Sequence, residues 1–521
     1  MKPGIPASTL RPPKICLRQA ALFLSIWLGA HAFALAAPFE WPPAEAAAVG
    51  IDPAMLAVLD QKTRQGDFGQ VKSLMLLRHG KLVYEAYFRG HGPNDLFPLY
   101  SVTKSWASAV IGIAIMRGDI SGVDEPLDAI FHQYPAPFLA SPAKRTITLQ
   151  DVLTMRHGLA WDEWSTWFTD PANPVNQMTK SPDWWAFVLD RPMTAPADSV
   201  FRYSTGVSNL LGGVVWTTIG QSAAEFALDH LFGALDINEA HIEVDLSGGP
   251  RGSGITQFQP GLTPTGHGLW LKTRDLAKLG QLYLDRGAWD LQRLVPSEWI
   301  EQSWRDYSNS QTDPQIFPEG AGYGYQWWSF EVDLEDRRTR VHMAEGWAGQ
   351  FVLVVPELDL VLASNADNGQ DSGPNIVDAL RDIVVPAVEP GFDPRNDGGL
   401  TGSWYSPDLP HQGFMLEVVP TTGQVVLYWM TFEPATGKQQ WMIAVSLLSG
   451  RRTNLELLRP VDGAFIGNTE AELVHWGEAE LEFLSCTTAS LAYASADQAE
   501  RGTINLQRLT PNSMCSEPSD K

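Results

Sequence analysis

Apolar and polar positions alternate in blocks that predict helices and strands over most of the chain. Residues 70–88 form two apolar runs around the turn Arg78-His79-Gly80-Lys81, a pattern typical of a β-hairpin. Residues 106–116 are almost wholly apolar and end at Arg117-Gly118-Asp119, which predicts a buried helix stopped by a glycine. The apolar runs at 322–328, 344–356 and 358–363 are divided by tight turns, so we expect neighbouring antiparallel strands of one sheet.

Two further patterns predict helices that carry loops. Thr148 and Asp151 have the spacing of a capping box, and Gly158 provides a stop, so a short helix should begin at Thr148. Residues 210–219 form a second apolar helix, preceded by a polar turn that contains Tyr203. The tryptophan-rich stretch 161–185 has no clean period, and it is interpreted either as a wall or lid over a cleft or as ordinary packing.

The last quarter of the chain is strand-like throughout. A stretch at 390–399 that is rich in Pro, Gly, Asp and Asn reads as a linker. The strand-like segments beyond it lie at 414–419, 424–430, 440–448, 454–459, 480–484 and 502–508. Short strands at regular spacing predict a small antiparallel barrel or sandwich. The chain of 521 residues is therefore divided into an α+β domain at 37–392 and an all-β domain at 398–511.

The first residues have the composition of a secretory signal. A basic start is followed by an apolar stretch and a small-x-small site at Ala34-Leu35-Ala36, so we expect residues 1–36 to be a signal peptide and the protein to be periplasmic or secreted. The alternative, a membrane anchor, would need a longer apolar stretch, and no other stretch is long enough to span a bilayer. A net charge of −23 argues against nucleic acids and anionic membranes as partners.

The sequence offers no cofactor or metal motif. Two of the three cysteines, Cys486 and Cys515, lie near the end of the all-β domain, and in an oxidising compartment we expect them to pair. No zinc-type spacing and no glycine-rich phosphate loop occurs. Residues 365–371 resemble a calcium loop but lack its terminal glutamate, so they are interpreted as a solvated turn. We predict neither a cofactor nor a metal.

The candidate chemistry begins at Ser101 and Lys104, three positions apart at the start of the helix at 106–116. This spacing places an amine beside a hydroxyl at the positive end of a helix, where burial lowers the amine pKa and lets it take a proton. The alternative interpretation of this pair is a serine that only caps the helix and a lysine on the protein surface. A second Ser-x-x-Lys pattern, at Ser141 and Lys144, contains a proline and reads as a loop. His267, between two glycines, is interpreted as structural.

The order of these motifs resembles the serine β-lactamase-like hydrolases, and within them the class C β-lactamase, family VIII carboxylesterase and 6-aminohexanoate-dimer hydrolase group. The resemblance covers roughly residues 45–390, and its most specific pieces lie at 99–106, 153–159, 201–212 and 346–356. It implies a β-lactamase-like antiparallel sheet flanked by helices, with a helical subdomain. Residues 402–405 and 412–414 are similar to small β domains appended to exported bacterial proteins.

The resemblance also implies roles for single residues. Ser101 matches the acylated nucleophile, Lys104 the proton-relaying lysine and Tyr203 the general base, whose phenol would need a nearby ammonium to hold its pKa down. The backbone N–H groups of Ser101 and Trp347 would form the oxyanion hole. In this sequence Ala344-Glu345-Gly346 stands where lactamases carry Lys-Thr-Gly, and Thr205 stands where they carry asparagine.

These departures weaken the case for β-lactam hydrolysis and leave acyl transfer intact. We therefore expect an exported serine esterase or amidase acting on a small-molecule ester or amide. The alternatives are a penicillin-recognising peptidase or β-lactamase, and a catalytically silent binding scaffold. Aromatic residues of the C-terminal domain would either fill its core or contact a polymer or the cell envelope. The sequence does not decide whether the substrate is an ester or an amide. It also does not identify the acyl group, the leaving group or the oligomeric state.

Overall fold

The computed structural model describes residues 39–237, 243–244, 259–313, 316, 320–333, 338–369, 373–388, 398–419, 422–461 and 472–509. The predicted signal peptide and most of the predicted linker lie outside these ranges. The helices are α1 (Pro53–Gln65), α2 (Thr103–Met116), α3 (Leu127–Ile130), α4 (Pro135–Ala140), α5 (Leu149–Leu153), α6 (Pro174–Thr179), α7 (Trp184–Leu189), α8 (Thr205–Ile219), α9 (Ala223–Ala227), α10 (Thr273–Leu284), α11 (Ser297–Trp304) and α12 (Ile376–Ala379).

The strands fall into two groups along the chain. The first group is β1 (Val71–Arg78), β2 (Lys81–Tyr87), β3 (Phe97–Pro98), β4 (Glu243–Val244), β5 (Leu269–Leu271), β6 (Ala288–Trp289), β7 (Gln292–Arg293), β8 (Ser308–Asn309), β9 (Gly322–Tyr323), β10 (Trp328–Asp333), β11 (Arg338–Gly346), β12 (Gln350–Val355) and β13 (Leu360–Ala366). The second is β14 (Gly402–Tyr405), β15 (Gly413–Val419), β16 (Gln424–Phe432), β17 (Gln439–Leu447), β18 (Arg452–Val461), β19 (Glu472–Phe483), β20 (Thr488–Ser495) and β21 (Arg501–Arg508).

The first group forms an eight-stranded antiparallel sheet in the order β2-β1-β13-β12-β11-β10-β9-β8. The predicted hairpin is present as β1 and β2, joined by His79 and Gly80. Both turn residues have positive φ, 53° and 67°, which is the backbone that a two-residue hairpin turn requires. β11, β12 and β13 are adjacent antiparallel strands, as the sequence predicts.

Helices cover both faces of this sheet. On one face α10 packs so tightly that a Cβ on Gly280 would come within 2.4 Å of Val361. On the other, α1 and α12 join a core cluster that includes residues of β1, β12 and β13. The helical subdomain is built around α2 and α8, whose residues are nearly all buried. Two apolar helices of this kind need cover on every side, and neighbouring helices and the sheet supply it.

α5 is shorter than the sequence predicts. Its capping box is formed by Thr148 and Asp151 as expected, but the helix ends at Leu153 rather than continuing to the glycine at 158. Met155 adopts a positive φ of 61°, and this left-handed residue turns the chain away before Gly158 is reached. The chain from Leu153 onward is therefore free to bring the following loop toward α8.

The second group of strands forms a closed antiparallel barrel, β14 to β21, in which β21 pairs back to β14. The barrel, rather than the sandwich, is thus the form that the C-terminal strands adopt, and closure removes the unpaired sheet edges. Trp404 and Trp429 lie in its core, whereas Trp441 is exposed on its outer face. A polymer or envelope contact through that face stays a prediction. Cys486 is disulfide-bonded, and its predicted partner Cys515 lies outside the described residues.

A buried ion pair joins the barrel to the sheet. Arg452 of β18 donates from Nε and Nη2 to the two carboxylate oxygens of Asp359, at 2.7 and 3.0 Å, in the turn before β13. His79 contacts the same carboxylate at 2.9 Å, and Arg452 also approaches Asp285 at 3.1 Å. Burial alone would raise the pKa of Asp359, but Arg452 and His79 hold it below its ordinary value. The junction therefore holds a carboxylate that is charged because the barrel supplies its partner.

Candidate active site

The two residues of the first Ser-x-x-Lys motif are in direct contact. Ser101 lies in a single 3-10 turn, Tyr100–Val102, that leads into α2, and Lys104 is in the first turn of α2. Lys104 Nζ donates a hydrogen bond to Ser101 Oγ over 2.9 Å. The lysine is 1% exposed, so the interpretation of a surface lysine next to a capping serine is wrong.

Two further acceptors hold the lysine in place. Lys104 Nζ donates to the carbonyl of Gly266 over 2.6 Å and to Thr205 Oγ1 over 3.1 Å. Burial lowers the pKa of Lys104 to about 8, although Glu163 acts in the opposite direction. Gly266 itself has no room for a side chain, because a Cβ there would lie 2.5 Å from the Thr205 carbonyl oxygen. The amine is therefore fixed by three partners and is partly neutral near neutral pH.

Glu163 is a buried acid that the sequence motifs do not predict. One carboxylate oxygen accepts from the Thr205 N–H over 2.7 Å, and the other accepts from Thr205 Oγ1 over 2.8 Å. The Trp161 indole donates to the same carboxylate over 2.6 Å. Since Thr205 Oγ1 also accepts from Lys104, the three side chains form a chain from carboxylate to hydroxyl to amine. Thr205 thus contacts the lysine from the position where lactamases carry asparagine.

We expect Glu163→Gln to shift the pH profile of the activity to lower pH. The carboxylate favours the protonated form of Lys104, so its neutral replacement should lower the lysine pKa further. If the neutral amine is the active form, the rising limb of kcat/KM against pH moves by the same amount. The measurement is a pH–rate profile of the variant, with Glu298→Gln on the exposed surface of α11 as the charge-matched control. An unchanged limb with normal folding would contradict electrostatic coupling between Glu163 and Lys104.

The Tyr203 side chain, from the loop before α8, also lies near Ser101 and Lys104. It immediately precedes Ser204, whose side chain caps α8 by accepting from the Val207 N–H over 3.0 Å. It lies close enough to Ser101 for that hydroxyl to affect the pKa of the phenol, and Lys104 Nζ lies 4.9 Å from its ring centroid. Its ring stacks on Trp328, with centroids 5.8 Å apart. The three residues predicted from the sequence are therefore gathered at one place.

The ionisation of Tyr203 differs from the sequence interpretation. Burial raises the pKa of the phenol well above its ordinary value, and the nearby carboxylates of Glu163 and Glu345 add to this effect. The nearby Ser101 hydroxyl lowers this pKa but does not outweigh them. A base role for this phenol requires a nearby ammonium that holds its pKa down. Because Lys104 is itself partly neutral and two acids face the phenol, Tyr203 is protonated at rest.

The end of β11 packs directly against the serine turn. A Cβ on Gly346 would lie 2.2 Å from the carbonyl oxygen of Leu99, so only glycine permits this approach. Trp347 follows, and its ring meets Tyr100 edge-on with centroids 5.1 Å apart. Tyr100 has a positive φ of 45°, an unusual backbone for a bulky residue directly before the serine. The role of the Ser101 and Trp347 N–H groups as an oxyanion hole stays a prediction.

Ser101, Tyr203, residues at and after the end of β11, and part of the tryptophan-rich loop line a cleft of about 510 Å³. Ser101, Tyr203 and Glu345 lie on its walls, together with residues of the tryptophan-rich loop. Within that loop Trp164 and Trp167 are 65% and 51% exposed and face the cleft, whereas Trp161, Trp184 and Trp185 are buried. The stretch at 161–185 is thus part wall and part packing.

The remaining candidates lie apart from the cleft walls. In the second Ser-x-x-Lys pattern the Lys144 side chain donates to the Leu189 carbonyl over 2.6 Å, and only the Lys144 backbone N–H bonds to Ser141. His267 stacks on Trp184 with ring centroids 5.7 Å apart. Within the described ranges, no three His, Cys, Asp or Glu side chains are grouped as metal ligands. None of the helices in the described part of the chain has the length and apolarity needed to cross a membrane.

Comparison with known proteins gives a consistent assignment. A family model described as Beta-lactamase matches residues 59–382. The 6-aminohexanoate-dimer hydrolase of Paenarthrobacter ureafaciens is 26% identical over 274 residues, which are 49% of this chain and 63% of that protein, so less than two thirds of this relative is spanned. Uncharacterized protein BpOF4_21049 of Alkalihalophilus pseudofirmus is 24% identical over 317 residues, 56% of this chain and 81% of its own.

A solved structure extends the similarity in fold. The penicillin-binding protein homologue from Caulobacter crescentus superposes with a TM-score of 0.50 and 15% sequence identity, covering 68% of this chain and 100% of its own. At this identity the likeness concerns the fold alone. The family match covers both the serine turn and the end of β11, and therefore the whole cleft described above.

Proposed function

Because this chain belongs to the beta-lactamase family of hydrolase folds, we propose that it is a serine hydrolase that cleaves an ester or a linear amide through a Ser101 acyl-enzyme. The observation that carries this proposal is the 2.9 Å hydrogen bond between Lys104 Nζ and Ser101 Oγ, made by a lysine whose pKa burial lowers to about 8. A serine next to an amine that is partly neutral has a base within reach of its proton.

In the first step Ser101 Oγ attacks the carbonyl carbon, and its proton passes to the neutral amine of Lys104. The carbonyl oxygen becomes an oxyanion, for which the N–H groups of Ser101 and Trp347 are the proposed donors. The Gly266 carbonyl and Thr205 Oγ1 already accept from Lys104, so both are in position to stabilise the ammonium that forms. The lysine therefore changes charge without changing its partners.

In the second step the tetrahedral intermediate collapses and the bond to the leaving group breaks. The leaving oxygen or nitrogen needs a proton, and Tyr203 is a protonated phenol beside Ser101. Tyr203 gives its proton to the leaving group and regains one from the Lys104 ammonium. Water then attacks the acyl-enzyme, gives its proton to the same relay, and releases the acid while Ser101 recovers its hydrogen. Tyr203 therefore acts as a proton relay rather than as the general base that the resemblance implies, and Lys104 is the primary base.

An ester or linear amide suits this cleft better than a β-lactam. Ala344 and Thr205 replace the lysine and asparagine side chains that lactamases use to hold the carboxylate and amide of their substrates. The name of the Paenarthrobacter ureafaciens relative, a dimer hydrolase, supports the amide reading. We further propose that the protein acts outside the cytoplasm, which the composition of residues 1–36 and the disulfide at Cys486 support.

The proposed function is tested with three chromogenic substrates: a short-chain ester, a linear anilide and a cephalosporin. We expect turnover of the ester or the anilide and none of the cephalosporin. Preferential cephalosporin cleavage would replace the proposal with a β-lactamase. No turnover of any of the three, together with no reaction of the folded protein with a fluorophosphonate, would favour a binding scaffold.

We expect Tyr203→Phe to lower kcat by about 10² to 10⁴-fold, the usual contribution of a positioned acid or base. The loss should be larger for the anilide than for an activated ester, because an anilide nitrogen leaves only after protonation. Tyr323→Phe is the matched control, since this buried tyrosine lies 6.3 Å from the Tyr203 ring in the same aromatic cluster. Equal effects of the two substitutions would mean that Tyr203 acts only through packing.

A further inference from the structure

Glu345 occupies a place in the cleft that the proposed chemistry does not use. It is the penultimate residue of β11, directly before Gly346, which packs against the serine turn. Its side chain is exposed to the cleft that Ser101 and Tyr203 also line. It is close enough to Tyr203 to raise the pKa of that phenol. A carboxylate therefore stands beside the reacting groups without being part of the proton relay.

Glu345 has no counter-ion in the part of the chain that the structure describes. Among the described residues no side chain donates a hydrogen bond or forms an ion pair with Glu345, and the cleft walls raise its pKa to about 7. The only other charged side chain that lines the cleft in the described ranges is Glu163, which is also acidic. A carboxylate whose ionisation the surrounding walls oppose is stabilised in its charged form when a cation accompanies it.

The unpaired charge also affects the reaction itself. The tetrahedral intermediate is an anion, and Glu345 lies two residues before the N–H proposed to bind it. A carboxylate at this position disfavours the oxyanion when the substrate is neutral. A positive charge on the substrate would neutralise Glu345 in the same step that brings the carbonyl to Ser101.

The walls of the cleft are suited to such a cation. Trp164 and Trp167 expose 65% and 51% of their surface, and Trp347 exposes 37%, and all three line the cleft. Indole faces bind alkylammonium groups through their π electrons, and this attraction is strongest where water is partly excluded. A neutral or anionic substrate would leave the Glu345 carboxylate, which lies among these indole rings, without a positively charged partner.

We propose that Glu345 is a specificity-determining residue that selects esters or amides whose leaving group carries an ammonium. The inference rests on the proposed function. The leaving-group side is assigned because Glu345 and Tyr203 line the same cleft beside Ser101, and Tyr203 is the residue proposed to deliver a proton to the leaving group. The substrate class is thus an acylated amino alcohol or an acylated diamine.

The test compares two thioesters of nearly equal shape, acetylthiocholine and 3,3-dimethylbutyl thioacetate, by release of free thiol from the full chain. We expect the wild type to hydrolyse the cationic thioester with a kcat/KM about tenfold or more above that of the neutral one. Glu345→Gln should remove this preference by lowering kcat/KM for acetylthiocholine, while the neutral thioester is cleaved at least as well as before. Glu298→Gln, an exposed acid of α11, should change neither value.

Two further measurements use the wild type alone, so that the test does not depend on how well Glu345→Gln folds. Choline should inhibit hydrolysis of the neutral thioester competitively in the wild type. The S-ethyl thioester of trimethylglycine moves the cation to the acyl side and should be a poorer substrate than acetylthiocholine. Equal rates for the two acetyl thioesters, no inhibition by choline, or a preference for the trimethylglycine thioester would each overturn the inference. A failed proposed function is recognised separately, because Ser101 would then not react with a fluorophosphonate.

Discussion

Ser101→Ala should lower kcat/KM by about 10⁴-fold or more, because it removes the atom that becomes acylated. Exposure of the wild type to a fluorophosphonate should add a single adduct to the intact mass, and the alanine variant should show none. Ser101 lies in a short turn and its hydroxyl contacts only cleft groups, so the substitution should leave the thermal midpoint nearly unchanged.

The chain provides a matched control for this experiment. Ser141 begins the second Ser-x-x-Lys pattern, but Lys144 is turned away toward the Leu189 carbonyl. Ser141→Ala should therefore keep both the activity and the adduct. An adduct that persists in Ser101→Ala and disappears in Ser141→Ala would move the nucleophile to the second pattern.

Lys104→Met should lower kcat by about 10³-fold, within the range that general bases contribute. The wild-type pH profile should rise with pH and level off above about pH 8, since the neutral amine is the active form and its pKa is about 8. In the variant this limb should be absent. Lys104→Arg should be equally inactive, because a guanidinium stays protonated at every pH in this range.

Lys104→Met should not lower the stability of the folded protein. The pKa of Lys104 is lower in the folded protein than in the unfolded chain, so folding releases a proton between about pH 8 and pH 10.5 and stability rises with pH over that window. Below it, burying the ammonium costs free energy that methionine does not. We therefore expect the thermal midpoint of Lys104→Met at pH 7 to equal or exceed that of the wild type. A large drop in the midpoint would mean that the lost activity reflects misfolding.

Local sequence signals were sufficient where one short segment determines the structure. The β1–β2 hairpin follows from its two turn residues, and α2 follows from its apolar run and its glycine stop. The contact between Ser101 and Lys104 follows from helical spacing alone. α8 begins at Thr205 rather than at 210, because Ser204 caps it five residues earlier than the apolar run indicates.

Local sequence patterns did not predict features that depend on contacts between segments distant along the chain. β20 is made largely of Ala and Ser, which have low strand propensity, and it exists because β19 and β21 pair with it on both sides. Glu163 lies 42 residues from Thr205 and belongs to no motif, so only the folded chain shows that it faces the lysine. The protonated state of Tyr203 likewise depends on its burial and on two acids, Glu163 in a loop and Glu345 near the end of β11, and could not be read from the tyrosine motif.

The ion pair between Arg452 and Asp359 also bears on how the gene for this protein can change. A point mutation that replaced Arg452 would leave Asp359 buried beneath the barrel with His79 as its remaining partner, and removing one side of a buried ion pair typically costs about 3 to 5 kcal/mol. Most single domains are stable by only about 5 to 15 kcal/mol. Loss of Arg452 would therefore be tolerated most readily together with a second mutation that neutralised Asp359, so we expect these two positions, one in the barrel and one beside the sheet, to change together.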